Sequence, residues 1–384
     1  MSLLPSGAPA SATVPPALDG HVLLQVKTPG PAPLADVSPV DGGLVFCGQK
    51  AADNAAEALR GREFTGPVLI DPSAYEKHVA TPERPFITGQ ASLLVEDELE
   101  EELQRQRERK ATMALTPTAY LRAGDRASLE AVAERAADLR GGDVLLTLPL
   151  DMGWLRGSRH DDLIALLLQI PVPKALILCA PRDPLATMGA ARSLREIVSS
   201  VPGIGLLRSD MAALDAMVHG AGFAAVGDSA SARHGPVPGG GGAPRPRRDP
   251  AVLFPRALSY HYGVTLATAF EGAAEVPRCH CGPCREWGAE NDTADGLRPL
   301  TGFTDSADRA AAHRHNHAAW SMIWGYVMAA PDETEARRRW SGCCARALPT
   351  LSAANAVARR PDNPLKAPPA LRVWARGGAR PRRR

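Results

Sequence analysis

Short runs of Val, Leu and Ile return along the chain: GLVFCG at 43–48, GPVLIDPSAY at 66–75, TMALTPTAYL at 112–121, DVLLTLPLD at 143–151, KALILCAP at 174–181, GIGLLRSD at 203–210 and GFAAVGDS at 222–229. Each is short and almost continuously apolar, the pattern of a strand buried on both faces. Between most of them lie helix-like stretches, AADNAAEALRG, DRASLEAVAERAADLRG, HDDLIALLLQI and ATMGAARSLREIVSS. Strands alternating with amphipathic helices predict a parallel sheet covered by helices. Seven such strands, with LFPRALSYHYGVTL at 253–266 as a loose candidate for an eighth element, fit an α/β fold of the (β/α)8 TIM-like barrel type. An open doubly wound sheet is the alternative. No G-x-G-x-x-G turn follows the first run, so dinucleotide binding has no support.

A barrel of this kind carries its chemistry at the carboxyl ends of its strands. There the chain places Asp71, Asp151, Arg182 with Asp183, Asp210 and Asp228. One Asp at a strand end is also a good cap for the helix that follows. Several on one rim repel each other, which points to use.

Composition adds little to the fold but narrows the setting. The chain has 384 residues, 45% hydrophobic and 22% charged, with a formal net charge of +2. That charge is too small to announce a nucleic-acid binder by itself. Basic residues gather in APRPRRDP at 243–250 and in the tail from Arg372 to the end, both Gly/Pro-rich and read as flexible. Each is either a solvated charge run or an arm for phosphates. No apolar stretch approaches membrane-spanning length and the N-terminus lacks a basic start before an apolar core, so a cytoplasmic protein with no membrane partner is expected. Seven cysteines in such a chain argue for reduced thiols.

Three of those thiols stand in PRCHCGPCREW, where Cys279, Cys281 and Cys284 follow C-x-C-x-x-C. Downstream, AAHRHNHAAW carries His313, His315 and His317 on an expected helix. Three thiolates and one imidazole form the closed tetrahedral set of a structural Zn2+ site, which has no open position for catalysis. Such a site would tie a loop-rich excursion, 271–308, onto the helix. At most one histidine is needed, and the spacing does not choose among the three. Cys343 and Cys344 are adjacent and diverge on a helix, while Cys47 and Cys179 fall inside strands and read as core.

A barrel followed by C-x-C-x-x-C, and about thirty residues later by an HN pair on a helix, resembles the tRNA-guanine transglycosylase superfamily. The HN pair here is His315 and Asn316, and the resemblance makes His315 the fourth ligand. DPSAYE resembles the family's D-S-G-G-F-Q segment, implying Asp71 as the general base and Tyr75 as the aromatic that stacks on the base. PLDMGW resembles F-D-E-C-T, implying that Asp151 binds the purine edge. VGDSASARH stands where the family carries its nucleophile, implying Asp228. The family's G-I-V-Q-G-G and G-L-A-V-G-E segments have no counterpart; the strands there read LILCAPRDP and GLLRSD.

The expected activity is nucleic-acid base exchange, a transferase reaction in which a purine is replaced by a deazapurine-type base through a covalent Asp–sugar intermediate. Arg182 and Arg233 would meet backbone phosphates. The partners expected are tRNA or DNA and a purine or deazapurine base, with a homodimer or heteromeric complex left open. Two other classes stay in view: a non-catalytic relative that binds nucleic acid as a partner subunit, and an enzyme acting on a free nucleoside or base. The domain plan is a disordered start over 1–20, a barrel over 21–270 with a flexible basic linker at 235–250, a zinc-binding subdomain with its packing helix over 271–330, and a C-terminal helix with basic tail over 331–384.

Overall fold

The computed structural model describes residues 14–27, 37–38, 40, 42–88, 95–139, 142–239, 247–358 and 362–377. Eight parallel strands close into a barrel: β1 (Val22–Val26), β2 (Leu44–Cys47), β3 (Val68–Asp71), β4 (Met113–Leu115), β5 (Val144–Asp151), β6 (Lys174–Cys179), β7 (Gly205–Ser209) and β8 (Phe223–Gly227). Each pairs with the next in sequence, and β1 pairs with β8 to close the ring. Helices α1 (Ala51–Ala58), α2 (Val95–Glu108), α3 (Arg126–Ala137), α4 (Arg159–Gln169), α5 (Met188–Ser200) and α6 (Ala212–Val218) lie between them. The doubly buried strands therefore do form the barrel that their apolar runs predict.

The count of strands needs one correction. The eighth member is β1 at the N-terminal end, not the segment at 253–266. That segment forms an antiparallel hairpin outside the ring, β9 (Ala251–Phe254) with β10 (Ser259–Tyr262), and then α7 (Gly263–Ala269). Pro255 begins the turn between the hairpin strands, where its missing N–H costs no ladder bond. The side chains of β10 are mostly half-buried, as expected of a ribbon lying on a surface rather than of a barrel stave.

Alternate residues of the strands fill the barrel. Leu23, Val45, Leu69, Leu115, Leu145, Ile177, Leu207 and Phe223 pack in one interior cluster, separate from the larger cluster under the helices. Gly205 makes room for this packing, since a Cβ there would stand 2.2 Å from the Phe223 ring. A period of two carries the inward track of β3 from Leu69 to Asp71 and that of β5 from Pro149 to Asp151. The carboxylates at the strand ends thus share the carboxyl-terminal rim.

Beyond the hairpin come α8 (Gly282–Glu290), α9 (Arg309–Met328), α10 (Glu333–Val357) and the short α11 (Leu371–Trp374). A buried ion pair fastens α10 and α11 to the barrel helices. Arg195 on α5 reaches Asp215 on α6 at 2.5 Å, Asp215 accepts from Trp340 Nε1 on α10 at 2.9 Å, and Arg195 donates to the Val373 carbonyl on α11. Two flexible assignments change accordingly. Val373 and Trp374 are buried, so the chain just after Arg372 is folded, while residues 378–384 of the basic tail lie outside the described residues. The supposed linker begins with structure, because Gly235 pairs with the end of β6 through Ala180 N–H to Gly235 O and Gly235 N–H to Leu178 O. Arg247 at its far end lies over the Tyr262 ring and bonds Asp249. The remainder of that linker, 240–246, and the N-terminal 1–13 lie outside the described residues. No helix among the described residues is long and apolar enough to cross a membrane.

Candidate functional site

Cys279, Cys281, Cys284 and His315 come together, with their ligand atoms all within 4.8 Å of one another and all four residues buried. Cys281 and Cys284 begin α8, where the chain turns tightly enough to aim three sulfurs at one point. His315 Nδ1 lies 3.4 Å from Cys281 Sγ and 3.2 Å from Cys284 Sγ. Its Nε2 donates to the Leu253 carbonyl on β9 at 2.8 Å, which leaves Nδ1 as the nitrogen facing the sulfurs. Asn316 continues the seam, accepting from Leu253 N–H and donating to Ala251 O. The four residues can hold a metal ion. Hydrogen bonds with the neighbouring thiols pull Cys279 down to about 4 against the effect of burial, and with burial they push Cys284 far up.

The three histidines of α9 separate by geometry. At 100° per residue, His313 and His317 share a face and His315 points the other way. His313 Nδ1 lies 3.9 Å from Asp228 Oδ2, and His317 lines a narrow slot beside Asp228 with Tyr260 and Trp320. The helix carrying the metal-type ligand therefore also faces the carboxylate after β8.

Asp228 follows Gly227, where a Cβ would stand 2.4 Å from the Ala232 carbonyl carbon, so the turn folds directly back over the strand end. Only 9% of Asp228 is exposed, and its Oδ1 has no hydrogen-bond partner. Burial pushes its carboxyl above the usual range, with His313 and Arg233 pulling it partly back. Arg233, in the turn after β8, lies over the Tyr260 ring with its Cζ 3.3 Å from the centroid, and its buried Nη2 has no hydrogen-bond partner.

The other expected residues are placed on the rim but are already engaged. Asp71 is buried, its Oδ2 accepting from Tyr75 OH at 2.6 Å and its Oδ1 from Ser73 N–H at 2.8 Å. Burial raises its carboxyl above the usual range, against the pull of Arg208. Tyr75 is 1% exposed and its OH accepts from Arg208 Nη1 at 2.8 Å. It therefore offers no open face for stacking on a base in this conformation, and the expectation is corrected: its ring belongs to the barrel core. Asp151 accepts from Tyr120 OH and from Gly153 N–H, capping the turn that follows β5. Each oxygen thus already accepts one bond, while the half-buried carboxylate keeps further acceptor positions. Arg182 is exposed beyond the end of β6.

No motif in the sequence marks Arg208, which reaches across the mouth. It sits on a β-bulge of β7 with φ +48°, its N–H bonded to Gln25 Oε1 at 2.6 Å. That backbone turn sends its buried guanidinium across the barrel to Tyr75, to Glu76 at 2.7 Å and to the Ser231 carbonyl at 2.6 Å. Lys27 completes the set at Glu76, 2.8 Å away. An Arg inside an otherwise apolar strand, GLLRSD, was the available signal.

Open space remains on the β6 to β8 side. A cavity of about 160 Å³ is lined by Leu178, Leu206, Arg208, Asp210 and His234. A second of about 280 Å³ shares Asp183, Asp210 and Arg233 with it and reaches out to Lys366 and Trp374. Compared with known proteins, the chain matches no family model, no curated protein and no solved structure.

Proposed function

We propose that the chain is a nucleic-acid base-exchange enzyme of the transglycosylase type, with Asp228 as its nucleophile. The observation that carries this reading is the buried, unpartnered Oδ1 of Asp228 at the barrel rim, beside the helix that supplies His315. In the reaction, an Asp228 oxygen forms a bond to the sugar C1′ as the C1′–N bond breaks, and the departing purine keeps the bonding electron pair and takes a proton. A nitrogen of the incoming base, purine or deazapurine, then attacks C1′, losing its proton, and the ester to Asp228 breaks. Burial suits the carboxylate to this work, because water does not compete for its charge. Arg233 and Arg182 are the cations assigned to the phosphates of tRNA or DNA.

Asp71 is the proton carrier of this reading, and it can serve only if the Tyr75–Arg208 bridge above it opens. The metal of the proposal is zinc, since three thiolates and an imidazole suit it and leave no open position. Bound there, it supplies structural closure of the 271–308 excursion onto α9 and β9. The free cysteines support a cytoplasmic setting in this reading.

The engaged states of Asp71 and Asp151 favour a second reading, a partner subunit that binds nucleic acid without catalysis. Incubation with RNA and with single-stranded DNA, followed by denaturing electrophoresis, separates the two. The enzyme gives a covalent adduct with one polymer that is lost in Asp228→Asn. Salt-sensitive binding with no adduct from either protein supports the subunit.

A further inference from the structure

One side chain reaches both turns that carry the carboxylates of the proposed exchange. Arg208 on β7 donates through Nη1 to Tyr75 OH at 2.8 Å and to Glu76 Oε1 at 2.7 Å, both in the turn that follows Asp71 at the end of β3. Through Nη2 it donates to the Ser231 carbonyl at 2.6 Å, in the turn that follows Asp228. A third contact ties the same two partners together. Gln25 on β1 accepts the Arg208 N–H at its side-chain Oε1, 2.6 Å away, and the Asp228 N–H at its backbone oxygen, 3.0 Å away. Since Tyr75 in turn donates to Asp71 Oδ2, the general base and the nucleophile are joined through one guanidinium.

Stability alone is a poor reason for this guanidinium. The Arg208 side chain is wholly buried, its backbone has the φ of +48° that a residue with a Cβ rarely adopts, and its Nε has no hydrogen-bond partner. A buried ion pair of this kind adds little over an apolar core. Fixed geometry is what it does supply. The two Nη atoms of a planar fork hold two turns at a set spacing, which the single ammonium of a lysine does not. Glu76, also held by Lys27 at 2.8 Å, keeps its bond to Nη1 when the Tyr75 hydroxyl turns away to free Asp71, so the fork stays in place.

We propose that Arg208 is the positioning residue of the base exchange, holding the turn after β3 and the turn after β8 in register so that Asp71 and Asp228 act on the same sugar–base bond. This inference rests on the exchange reading and adds to it the residue that sets the two carboxylates relative to each other. Arg208 touches neither sugar nor base; it acts through Tyr75, Glu76 and the Ser231 carbonyl. Its charge also opposes the effect of burial on the Asp71 carboxyl.

The test uses the full chain with RNA and with single-stranded DNA. Arg208→Lys keeps the charge and loses the fork: adduct formation at saturating polymer slows about a hundredfold, while the polymer concentration that gives half the maximal rate changes by less than about twofold. A second measurement requires no adduct. In Glu76→Ala, hydrogen exchange read by mass spectrometry speeds up about threefold or more at the amides of 228–232, although Glu76 lies in the other turn. Glu76 is partly exposed, so this variant folds even if Arg208→Lys does not, as far-UV circular dichroism reports. Adduct formation by Arg208→Lys at the rate of the unaltered protein, or faster exchange in Glu76→Ala confined to 73–78, overturns the proposal. Absence of adduct from the unaltered protein overturns the exchange reading instead; faster exchange at 228–232 then still upholds the link between the two turns, and unchanged exchange there overturns it as well.

Discussion

Replacing Tyr75 with Phe tests the mouth network by removing one oxygen. The ring keeps its place among Leu69 and Leu115, so packing is little changed. The lost hydroxyl stands between Asp71 Oδ2 at 2.6 Å and Arg208 Nη1 at 2.8 Å. Arg208 retains Glu76 and the Ser231 carbonyl, and Asp71 retains only Ser73 N–H. The loss is therefore a charge-assisted hydrogen bond in a buried setting, with the carboxylate left short of a donor, about 2–3 kcal/mol at neutral pH. In a chain of this length that lowers the melting midpoint by about 2–4 °C.

The pH dependence sharpens the test. Burial raises the folded-state pKa of Asp71, so the stability tied to its proton is present below the unfolded value and is lost as pH rises through the folded value. The Tyr75 hydroxyl opposes that rise, and removing it carries the folded pKa higher still. Tyr75→Phe should then lose more stability at pH 8 than at an acid pH low enough to protonate Asp71, where the proton relieves the missing bond. Urea denaturation at the two pH values measures this. Equal losses at both, or no loss at either, would refute the view that the hydroxyl holds a buried carboxylate.

Two further outcomes follow from buried contacts. His315→Ala removes a ligand and the bond to the Leu253 carbonyl, and should cost about 3 kcal/mol or more together with the bound metal, as denaturation and elemental analysis report; unchanged metal content would contradict the ligand assignment. Trp340→Phe takes from Asp215 one of its donors and should cost about 2 kcal/mol in chemical denaturation without altering the barrel, whereas a loss below about 0.5 kcal/mol would remove this ion pair from the attachment of α10.

The parts of the molecule legible in the sequence are those set by local pattern. Seven barrel strands announced themselves as apolar runs because both faces of each are buried. Strand β1 is harder to read because its run, VLLQV, is short and carries Gln25, which is buried with its Oε1 on the Arg208 N–H. A polar residue inside a small barrel reads as a break until its partner from another strand is known. The hairpin at 251–262 has strand-like composition, and nothing local distinguishes a stave from a ribbon outside the ring. The metal-type cluster was legible because close cysteine spacing restricts the geometry, and helical phase separates His315 from His313 and His317 once α9 is seen.

The engagement of the rim carboxylates was not legible, since it depends on contacts between distant strands. Tyr120 reaches Asp151 from the connection after β4, and Arg208 reaches Tyr75 from the opposite side of the barrel. Short motifs located Asp71, Tyr75 and Asp151 at the mouth without showing that other side chains already occupy their polar atoms. Asp183 and Asp210 stood in the sequence as strand-end residues, but only the fold shows that they share a cavity with Arg233.

X-ray absorption spectroscopy of the purified protein, combined with elemental analysis, tests the centre on which the arrangement of α9 and Asp228 depends. The account predicts one zinc ion per chain, with three sulfur ligands at about 2.3 Å and one nitrogen at about 2.0 Å. Substoichiometric metal, or a first shell of oxygen ligands, would contradict it.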